Sequence, residues 1–212
     1  MDLVPLLLGF AVFLVSLSVH ESAHAWTAWK LGDYTGKALG RVSLNPIRHI
    51  DPVGTILLPL ILGWASHGQF VFGYAKPVPY NPFALKNPAL GSAMVAGAGP
   101  TSNFLLAAAA TLFLGLTSAH GLIHETVGQD VLIRFVELNV LLGLFNLFPV
   151  PPLDGSRIVA GLLPNRWARK YLYLEPFGFI VMIVLIQVNA LDFLGNFVLA
   201  IAKILIGNFA LS

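Results

Sequence analysis

The sequence lacks cysteine and carries little charge. None of its 212 residues is Cys, and Asp, Glu, Lys and Arg together make up 10%. A typical soluble domain is about 25% charged, so this chain has too few charged side chains to cover a water-facing surface of its size. The low charge disfavours a soluble enzyme, a nucleic-acid-binding protein and a disordered chain. The missing cysteine excludes disulfides and cysteine-ligated zinc, so any metal must be held by His and carboxylates.

What the sequence has in excess is apolar residues, which make up 57% of the chain and give a mean hydropathy of +0.79. The apolar segment Val53 to Ala65 is short and contains Pro59, which favours a re-entrant or tilted segment. Five other segments are long enough to span a bilayer: residues 4–29, 91–118, 131–149, 171–188 and 191–208. We therefore predict an all-α polytopic membrane protein, a bundle of five to six transmembrane helices in one domain covering residues 1–212.

Two stretches between the first helix and residue 90 do not have a helical pattern. Residues Lys37 to Asn45 alternate loosely, and residues 69–80 are rich in aromatic and β-branched side chains and include Pro77 and Pro79. Each suits a short edge strand or an extended loop. We predict short membrane-associated β-strands here, at the membrane interface or lining a cavity, because open strands cannot face lipid.

The positions of Lys and Arg predict an orientation in the membrane. Residues 30–90 contain six of these residues and residues 151–170 contain four, whereas residues 119–130 and 189–191 contain none. If the segment at 53–65 does not cross, all the basic links fall on one side, which should be cytoplasmic. We therefore expect a multi-pass protein of the cell membrane with its N-terminus outside and its C-terminus inside.

The predicted first helix ends in the sequence His20-Glu21-Ser22-Ala23-His24. Two histidines four residues apart lie on one helical face, and both imidazoles can reach one zinc ion. Glu21 lies beside them and is placed to take a proton from the attacking water. The alternative is a helix end whose polar side chains extend to the interface, but ionisable residues within membrane spans are costly and are usually functional.

A catalytic zinc site needs a third protein ligand, for which Asp154 is the best candidate. It follows the apolar segment 131–149 and a proline-rich stretch that ends the helix, and Gly155 after it permits a close backbone approach. The predicted topology places Asp154 towards the cytoplasmic side, as it does the two histidines. The alternative for Asp154 is an N-cap of the following segment.

Three other polar residues are candidates for a role near the metal. Asn103 lies in a stretch of small residues in the 91–118 segment, and Asn146 lies near the end of the 131–149 segment. Either amide is a candidate for stabilising the developing oxyanion or binding substrate, or else makes a structural hydrogen bond. His49 is a candidate fourth polar group at the metal, although a loop hydrogen bond is the more common role. Asp51 is expected to cap the helix at 53–65.

These motifs together resemble the site-2 protease family of intramembrane zinc metalloproteases, in its compact prokaryotic branch without PDZ or CBS domains. The resemblance rests on HESAH at 20–24, GPTSN at 99–103 and NLFPVPPLDG at 146–155, and it covers residues 10–160. It implies His20, His24 and Asp154 as ligands of one Zn²⁺ and Glu21 as the base. It also implies that Asn103 and Asn146 handle the substrate and the transition state.

The resemblance implies a zinc-dependent endopeptidase that cuts membrane proteins within or near their transmembrane segments, with its active site towards the cytoplasmic side. The expected partners are single-pass transmembrane substrates and the lipid bilayer, and not nucleic acid. A homo-oligomer or a regulatory membrane partner stays open. A metal-ion or proton transporter is the alternative function, but it would distribute ionisable residues along a pathway, whereas here they concentrate at one end of two segments.

Overall fold

Helices form nearly all of the regular structure in the computed structural model, which describes residues 3–65, 73–119, 127–187 and 192–207. The longer helices are α1 (Leu3–Lys30), α4 (Pro88–Ala119), α5 (Val127–Asn146) and α9 (Asp192–Ile206). The shorter ones are α2 (Thr35–Ala38), α3 (Leu58–Ala65), α6 (Asp154–Leu162), α7 (Asn165–Leu172) and α8 (Gly178–Gln187). The all-α prediction is confirmed over these residues.

Helix α4 occupies the centre of the bundle and contacts α1, α5, α6 and α9. Its apolar contact surface is built largely from alanines, which let neighbouring helices approach closely. The main core cluster joins three helices and consists of Ala107, Ala110, Leu114, Val136, Val140, Val198, Ala202 and Ile206. The helix that carries the His-Glu motif and the helix that begins at Asp154 therefore both pack against α4.

Helix α1 is terminated by Gly32, which lies two residues after its last residue, Lys30. Gly32 has φ +110°, a left-handed conformation that costs glycine little and other residues much more. The backbone N–H of Asp33 donates to the Ala28 carbonyl at 2.9 Å and that of Gly32 to the Trp29 carbonyl at 3.1 Å, the pattern of a Schellman motif. The chain thus turns sharply away from α1 within a few residues of His24.

Within the described residues, two helices are long and apolar enough to cross a membrane by length and composition: Leu7–Lys30 within α1 and Pro88–Ser118 within α4. The segments Pro52–Ala65 and Phe193–Ile206 are apolar but shorter. Helix α5 has 20 residues but includes Asp130, Arg134 and Glu137. The predicted count of five to six spans is thus supported in part.

No β-strand forms in the described part of the chain, so the strand prediction is wrong for residues 37–45 and 73–80; residues 69–72 lie outside the described residues. The first stretch contains the end of α2 and a turn at Gly40 with φ +70°, and a 3-10 turn at Pro46–Arg48 follows it. The second is extended but makes two separate backbone bonds, from Tyr74 N–H to the Gly54 carbonyl and from Lys76 N–H to the His49 carbonyl. Pro77 and Pro79 have no N–H with which to continue a ladder.

The structure adds detail to two other predicted segments, of which the first differs from the prediction. The segment 171–188 is not one helix, because it divides into the end of α7, a 3-10 turn at Glu175–Phe177 and α8. Pro176 lies in the 3-10 turn, and a proline interrupts helical hydrogen bonding. At 53–65 the chain begins with a π-helical turn at Pro52–Leu57 that continues into α3. The predicted cap is confirmed, since Asp51 accepts hydrogen bonds from the N–H groups of Val53 and Gly54.

Candidate metal centre

The two histidines of the HESAH motif point their Nε2 atoms towards each other on one face of α1. His20 and His24 are 5% and 8% exposed, and their Nε2 atoms lie 3.0 Å apart. Two unprotonated ring nitrogens this close need a shared cation or proton between them, because their lone pairs repel. The helical spacing thus places two nitrogen donors where one ion can bind both.

Asp154 completes the cluster from the first residue of α6. Its Oδ2 atom lies 3.2 Å from Nε2 of His20 and 3.3 Å from Nε2 of His24. The residue that caps α6 is Leu153, without a side-chain bond, so the alternative role of Asp154 as an N-cap does not describe this arrangement. A Cβ at Gly155 would overlap the backbone of Leu147 and Phe148, so glycine is what lets the preceding loop fold tightly against the start of α6.

The three donor atoms fit a zinc ion. Zinc binds His nitrogen and carboxylate oxygen at about 2.0–2.2 Å in a tetrahedral arrangement, which separates neighbouring ligand atoms by about 3.3–3.5 Å. The separations of 3.0, 3.2 and 3.3 Å are close to that geometry. Apart from its contacts with the two rings, Oδ2 of Asp154 is buried and has no hydrogen-bond partner. A cation at the centre would satisfy all three atoms at once.

Gly99 of α4 borders the cluster. A Cβ at this position would lie 2.6 Å from Nε2 of His20 and closer still to Nε2 of His24. Such a contact is too short for any side chain, so only glycine leaves the space beside both donor atoms open. The GPTSN motif therefore contributes room at the metal position as well as close helix packing.

Both imidazoles are held so that Nε2 faces the cluster. Nδ1 of His20 lies 2.6 Å from Oδ1 of Asn103, and Nδ1 of His24 lies 2.7 Å from the Val95 carbonyl oxygen. Since both partners are acceptors, each Nδ1 carries the proton and each Nε2 presents its lone pair. Metal-bound histidines are typically oriented by such a second hydrogen bond.

The bond from His20 to Asn103 begins a chain of buried polar groups that crosses three helices. Asn103 donates from Nδ2 to Oδ1 of Asn139 at 2.9 Å, and Asn139 donates from its own Nδ2 to Ser16 Oγ at 2.9 Å and to the Phe135 carbonyl at 2.8 Å. Asn103 and Asn139 are both 0% exposed. The amide of Asn103 is thereby committed to protein partners, which favours the positioning of His20 over donation to a substrate.

Asn139 and Ser16 were not identified from the sequence. Each is a small polar residue in a largely apolar helix, and Ser16 also donates to the Val12 carbonyl of its own turn. The available signal was an uncharged amide in the middle of an apolar segment, a group that needs a buried partner. The sequence does not reveal that its partner is the amide behind a metal ligand.

The remaining predicted residues are not part of the cluster. Glu21 is half-buried and interacts electrostatically with His24, Arg41 and His49. Asn146 ends α5, and its Nδ2 donates to the Leu142 carbonyl one turn back at 3.0 Å. His49 is 1% exposed and uses Nε2 to contact the Ser43 carbonyl at 2.7 Å, which is the loop hydrogen bond expected as its more common role. Burial lowers the pKa of His49 and so favours its neutral form.

Helix α6, which begins at Asp154, is anchored by Arg157, about one turn after Asp154. Arg157 forms an ion pair with Glu175 and a 3.3 Å hydrogen bond to the hydroxyl of Tyr80. Burial alone would lower the pKa of Arg157, but the interactions with Tyr80 and Glu175 outweigh it and raise the pKa. These contacts connect α6 to the extended segment before α4 and to the 3-10 turn after α7, and so restrict how far Asp154 can move.

Comparison with known proteins identifies the family. The profile of Peptidase family M50 matches residues 123–188. A Bacillus subtilis protein, YwhC, named as a candidate zinc metalloprotease, is 44% identical over 176 residues, which cover 81% of this chain and 76% of that protein. The chain belongs to Peptidase family M50.

Two other relatives are less similar to this chain. Rip2 of Mycolicibacterium smegmatis, also named as a candidate zinc metalloprotease, is 29% identical over 191 residues, covering 88% of this chain and 69% of Rip2. Rip3 of Mycobacterium tuberculosis is 28% identical, and the alignment covers 40% of its length. No solved structure matches the chain. The site-2 protease family predicted from the motifs is confirmed. Zinc is confirmed as the metal of this family. Family membership and the two apolar helices together indicate a membrane protein.

Proposed function

We propose that this M50 member is a zinc-dependent intramembrane endopeptidase that hydrolyses peptide bonds within or near the transmembrane segment of membrane-protein substrates. One observation carries the proposal: Nε2 of His20, Nε2 of His24 and Oδ2 of Asp154 lie within 3.0–3.3 Å of one another. Three protein ligands are the number that catalytic zinc sites use, because the fourth position is left for water or substrate. The names of YwhC and Rip2 support the zinc-protease part of the proposal.

Zinc held by these three residues would supply a Lewis acid that polarises the scissile carbonyl and makes water acidic enough to react near neutral pH. Glu21, adjacent to His20 in the chain, takes the proton from the attacking water and delivers it to the nitrogen of the leaving amine. Asn103 and Val95 hold the two imidazoles in the required tautomer. Asn146 is the remaining amide of the motifs, and we assign it to contact with the substrate carbonyl.

We propose a membrane arrangement of five spans with Pro52–Ala65 re-entrant, which places the metal centre towards the cytoplasmic side. The substrates are single-pass transmembrane proteins, whose scissile bond must leave its helix before a carbonyl becomes accessible. The distribution of Lys and Arg supports this orientation. Single-cysteine labelling can test it without interference, since the chain has no cysteine. Lys86→Cys and Arg166→Cys, both on exposed positions, should react with an impermeant maleimide in inside-out vesicles and not in intact cells.

The proposed activity is tested with Glu21→Gln in detergent, using a single-pass transmembrane substrate. We expect cleavage to fall by a factor of at least about 100, since general acid–base catalysis contributes about 10²–10⁴-fold, while one zinc per chain is retained. Glu137→Gln is the matched control, because it makes the same change on α5, and its cleavage should equal that of the natural chain. Retained cleavage in Glu21→Gln would refute the mechanism. Zinc flux into proteoliposomes that does not depend on Glu21 would instead favour the transporter.

A further inference from the structure

A second polar site lies outside the metal cluster, in a cleft between the loop after α2 and the extended segment before α4. The cleft has a volume of about 280 Å³ and is lined by Leu39, Arg41, Ile47, Arg48, Lys76 and Pro79. Three of the six lining residues are cationic and none is acidic. A concave surface of one charge attracts an ion of the opposite charge, so the lining favours an anion.

The floor of the cleft is a buried guanidinium. Arg41 is 4% exposed, and it donates from Nη1 to the Arg48 carbonyl at 2.6 Å and from Nη2 to the Lys76 carbonyl. One side chain thus fixes the backbone of both other cationic residues, so the three positive groups belong to a single unit. Nε of Arg41 is buried without a hydrogen-bond partner. Glu21 interacts with Arg41 electrostatically but does not line the cleft.

The side chain of Arg48 lies against Gly40. Gly40 has φ +70°, and a Cβ at Gly40 would lie 3.1 Å from Nη1 of Arg48. The guanidinium therefore lies directly over the glycine, where a larger residue would displace it. Among the described residues, neither Arg48 nor Lys76 forms an ion pair with a carboxylate. Two exposed cations and one buried cation thus face a common space that no carboxylate lines.

The rim of the cleft and its position indicate the source of the anion. Leu39 and Ile47 border the cleft with 58% and 77% of their surface exposed, which suits contact with acyl chains and would gain nothing from a free ion in water. The loop packs against α1, whose apolar span ends at Lys30. Lys37 lies 3.6 Å from the ring centroid of Trp29, and tryptophan is typical of the membrane–water interface.

We propose that this cleft binds the phosphate group of an anionic phospholipid from the leaflet that the metal centre faces. Arg48 and Lys76 contact the phosphate oxygens, Arg41 supplies positive charge from below, and Leu39 and Ile47 contact the beginning of the acyl chains. Guanidinium and ammonium groups are the usual partners of phosphate in proteins. The bound lipid would hold the loops after α1 at the depth of the lipid headgroups, on the same side of the membrane as Glu21.

The test measures lipid binding by the purified, delipidated full chain, as the rise in unfolding temperature with added short-chain phosphatidylglycerol. Phosphatidylcholine and inorganic phosphate are the comparison ligands. We expect phosphatidylglycerol to stabilise the natural chain and the other two to have little effect. The double variant Arg48→Gln/Lys76→Gln should bind phosphatidylglycerol at least about tenfold more weakly, since it removes the two charged groups that contact the phosphate oxygens.

The matched control is Lys86→Gln/Arg166→Gln, which removes the same charge from exposed positions outside the cleft and should bind like the natural chain. Equal weakening in both double variants would overturn the proposal, because it would indicate general electrostatics. An equal response to inorganic phosphate would overturn the assignment to a lipid, and so would competition by an acidic peptide without any response to lipid. Glu21→Gln should bind lipid normally, so failure here is distinguishable from failure of the proposed peptidase activity.

Discussion

Nδ1 of His20 lies 2.6 Å from Oδ1 of Asn103, and this bond joins a residue of the HESAH motif to a residue of the GPTSN motif. The two residues are on different helices, 83 positions apart in the chain. Asn103 is fully buried, so the bond is shielded from competing water. Asn103 of the GPTSN motif therefore fixes the tautomer in which His20 of the HESAH motif presents its Nε2 lone pair.

Replacing Asn103 by leucine should weaken zinc binding. Loss of such a hydrogen bond behind a metal ligand typically reduces metal affinity by about 10–100-fold, and His20 would no longer be held in the tautomer that frees Nε2. Competition with a chelator of known affinity measures the effect. Asn146→Leu is the control: its amide bonds to its own helix, so we expect zinc affinity to be kept and cleavage to fall. Equal zinc affinities for the two variants would contradict these assignments.

Asn139→Leu should also weaken zinc binding, although Asn139 touches neither the metal position nor a ligand. Asn139 accepts from Nδ2 of Asn103, and that bond determines which end of the Asn103 amide faces His20. Without it the amide can rotate and present an N–H to the ring. Electronic spectra of the cobalt-substituted protein report the ligand geometry directly, so a changed spectrum in a variant that unfolds at the natural temperature would support positioning. An unchanged spectrum and affinity would show that Asn139 only fills space.

The parts of the site that could be predicted are those whose chemistry is local. His20 and His24 are on one face because the helical repeat places residues four apart together, and Asp154 was found because it follows the proline-rich stretch that ends α5 and precedes Gly155. The chain from Asn103 to Asn139 and Ser16 could not be predicted, because it depends on how α1, α4 and α5 pack. An isolated amide in an apolar helix shows only that some partner exists.

The wrong strand prediction has a similar cause. Residues 73–80 have the composition of a strand, but a strand needs a partner along its length, and composition does not reveal whether one is present. Here Pro77 and Pro79 leave too few N–H groups for a ladder. The helix break near Pro176 has a different cause. The apolar pattern of the segment is otherwise continuous, and a single proline interrupts the helix.

Stability should fall in acid through Asp33, which connects the end of α1 to the segment before α4. It accepts hydrogen bonds from Thr35 N–H at 3.0 Å, from the Thr35 hydroxyl at 2.6 Å and from Asn81 N–H at 2.9 Å. Burial alone would raise the pKa of Asp33, but these bonds outweigh it and lower the pKa. A carboxylate whose pKa is lower when folded stabilises the protein above its unfolded pKa of about 3.9. That contribution is lost as the pH falls through the folded pKa.

Asp33→Asn should therefore lower the free energy of unfolding by about 1–3 kcal/mol at neutral pH, the usual cost of disturbing buried hydrogen bonds to a charged group. Thermal unfolding of both proteins between pH 7 and pH 3 measures it. The difference between them should shrink at the acid end, because below about pH 3.9 the unfolded carboxyl binds a proton before the folded one does. Asp130→Asn on α5 is the control and should show no such convergence. A difference that stays constant with pH would contradict the role given to the charge.

Gly99→Ala should prevent normal metal binding, whereas Gly97→Ala in the same helix should be tolerated. A Cβ at Gly99 would overlap the Nε2 atoms of both histidines, but a Cβ at Gly97 meets only the Cδ1 atom of Ile158, at 3.9 Å. Alanine favours a helix over glycine by about 0.8–1.0 kcal/mol, so Gly97→Ala should unfold at an equal or higher temperature. In Gly99→Ala one imidazole must move, and we expect zinc affinity to fall at least about tenfold and cleavage to fall with it. Zinc titration of the two variants decides the matter, since equal affinities would mean that the space beside Gly99 is not the metal position.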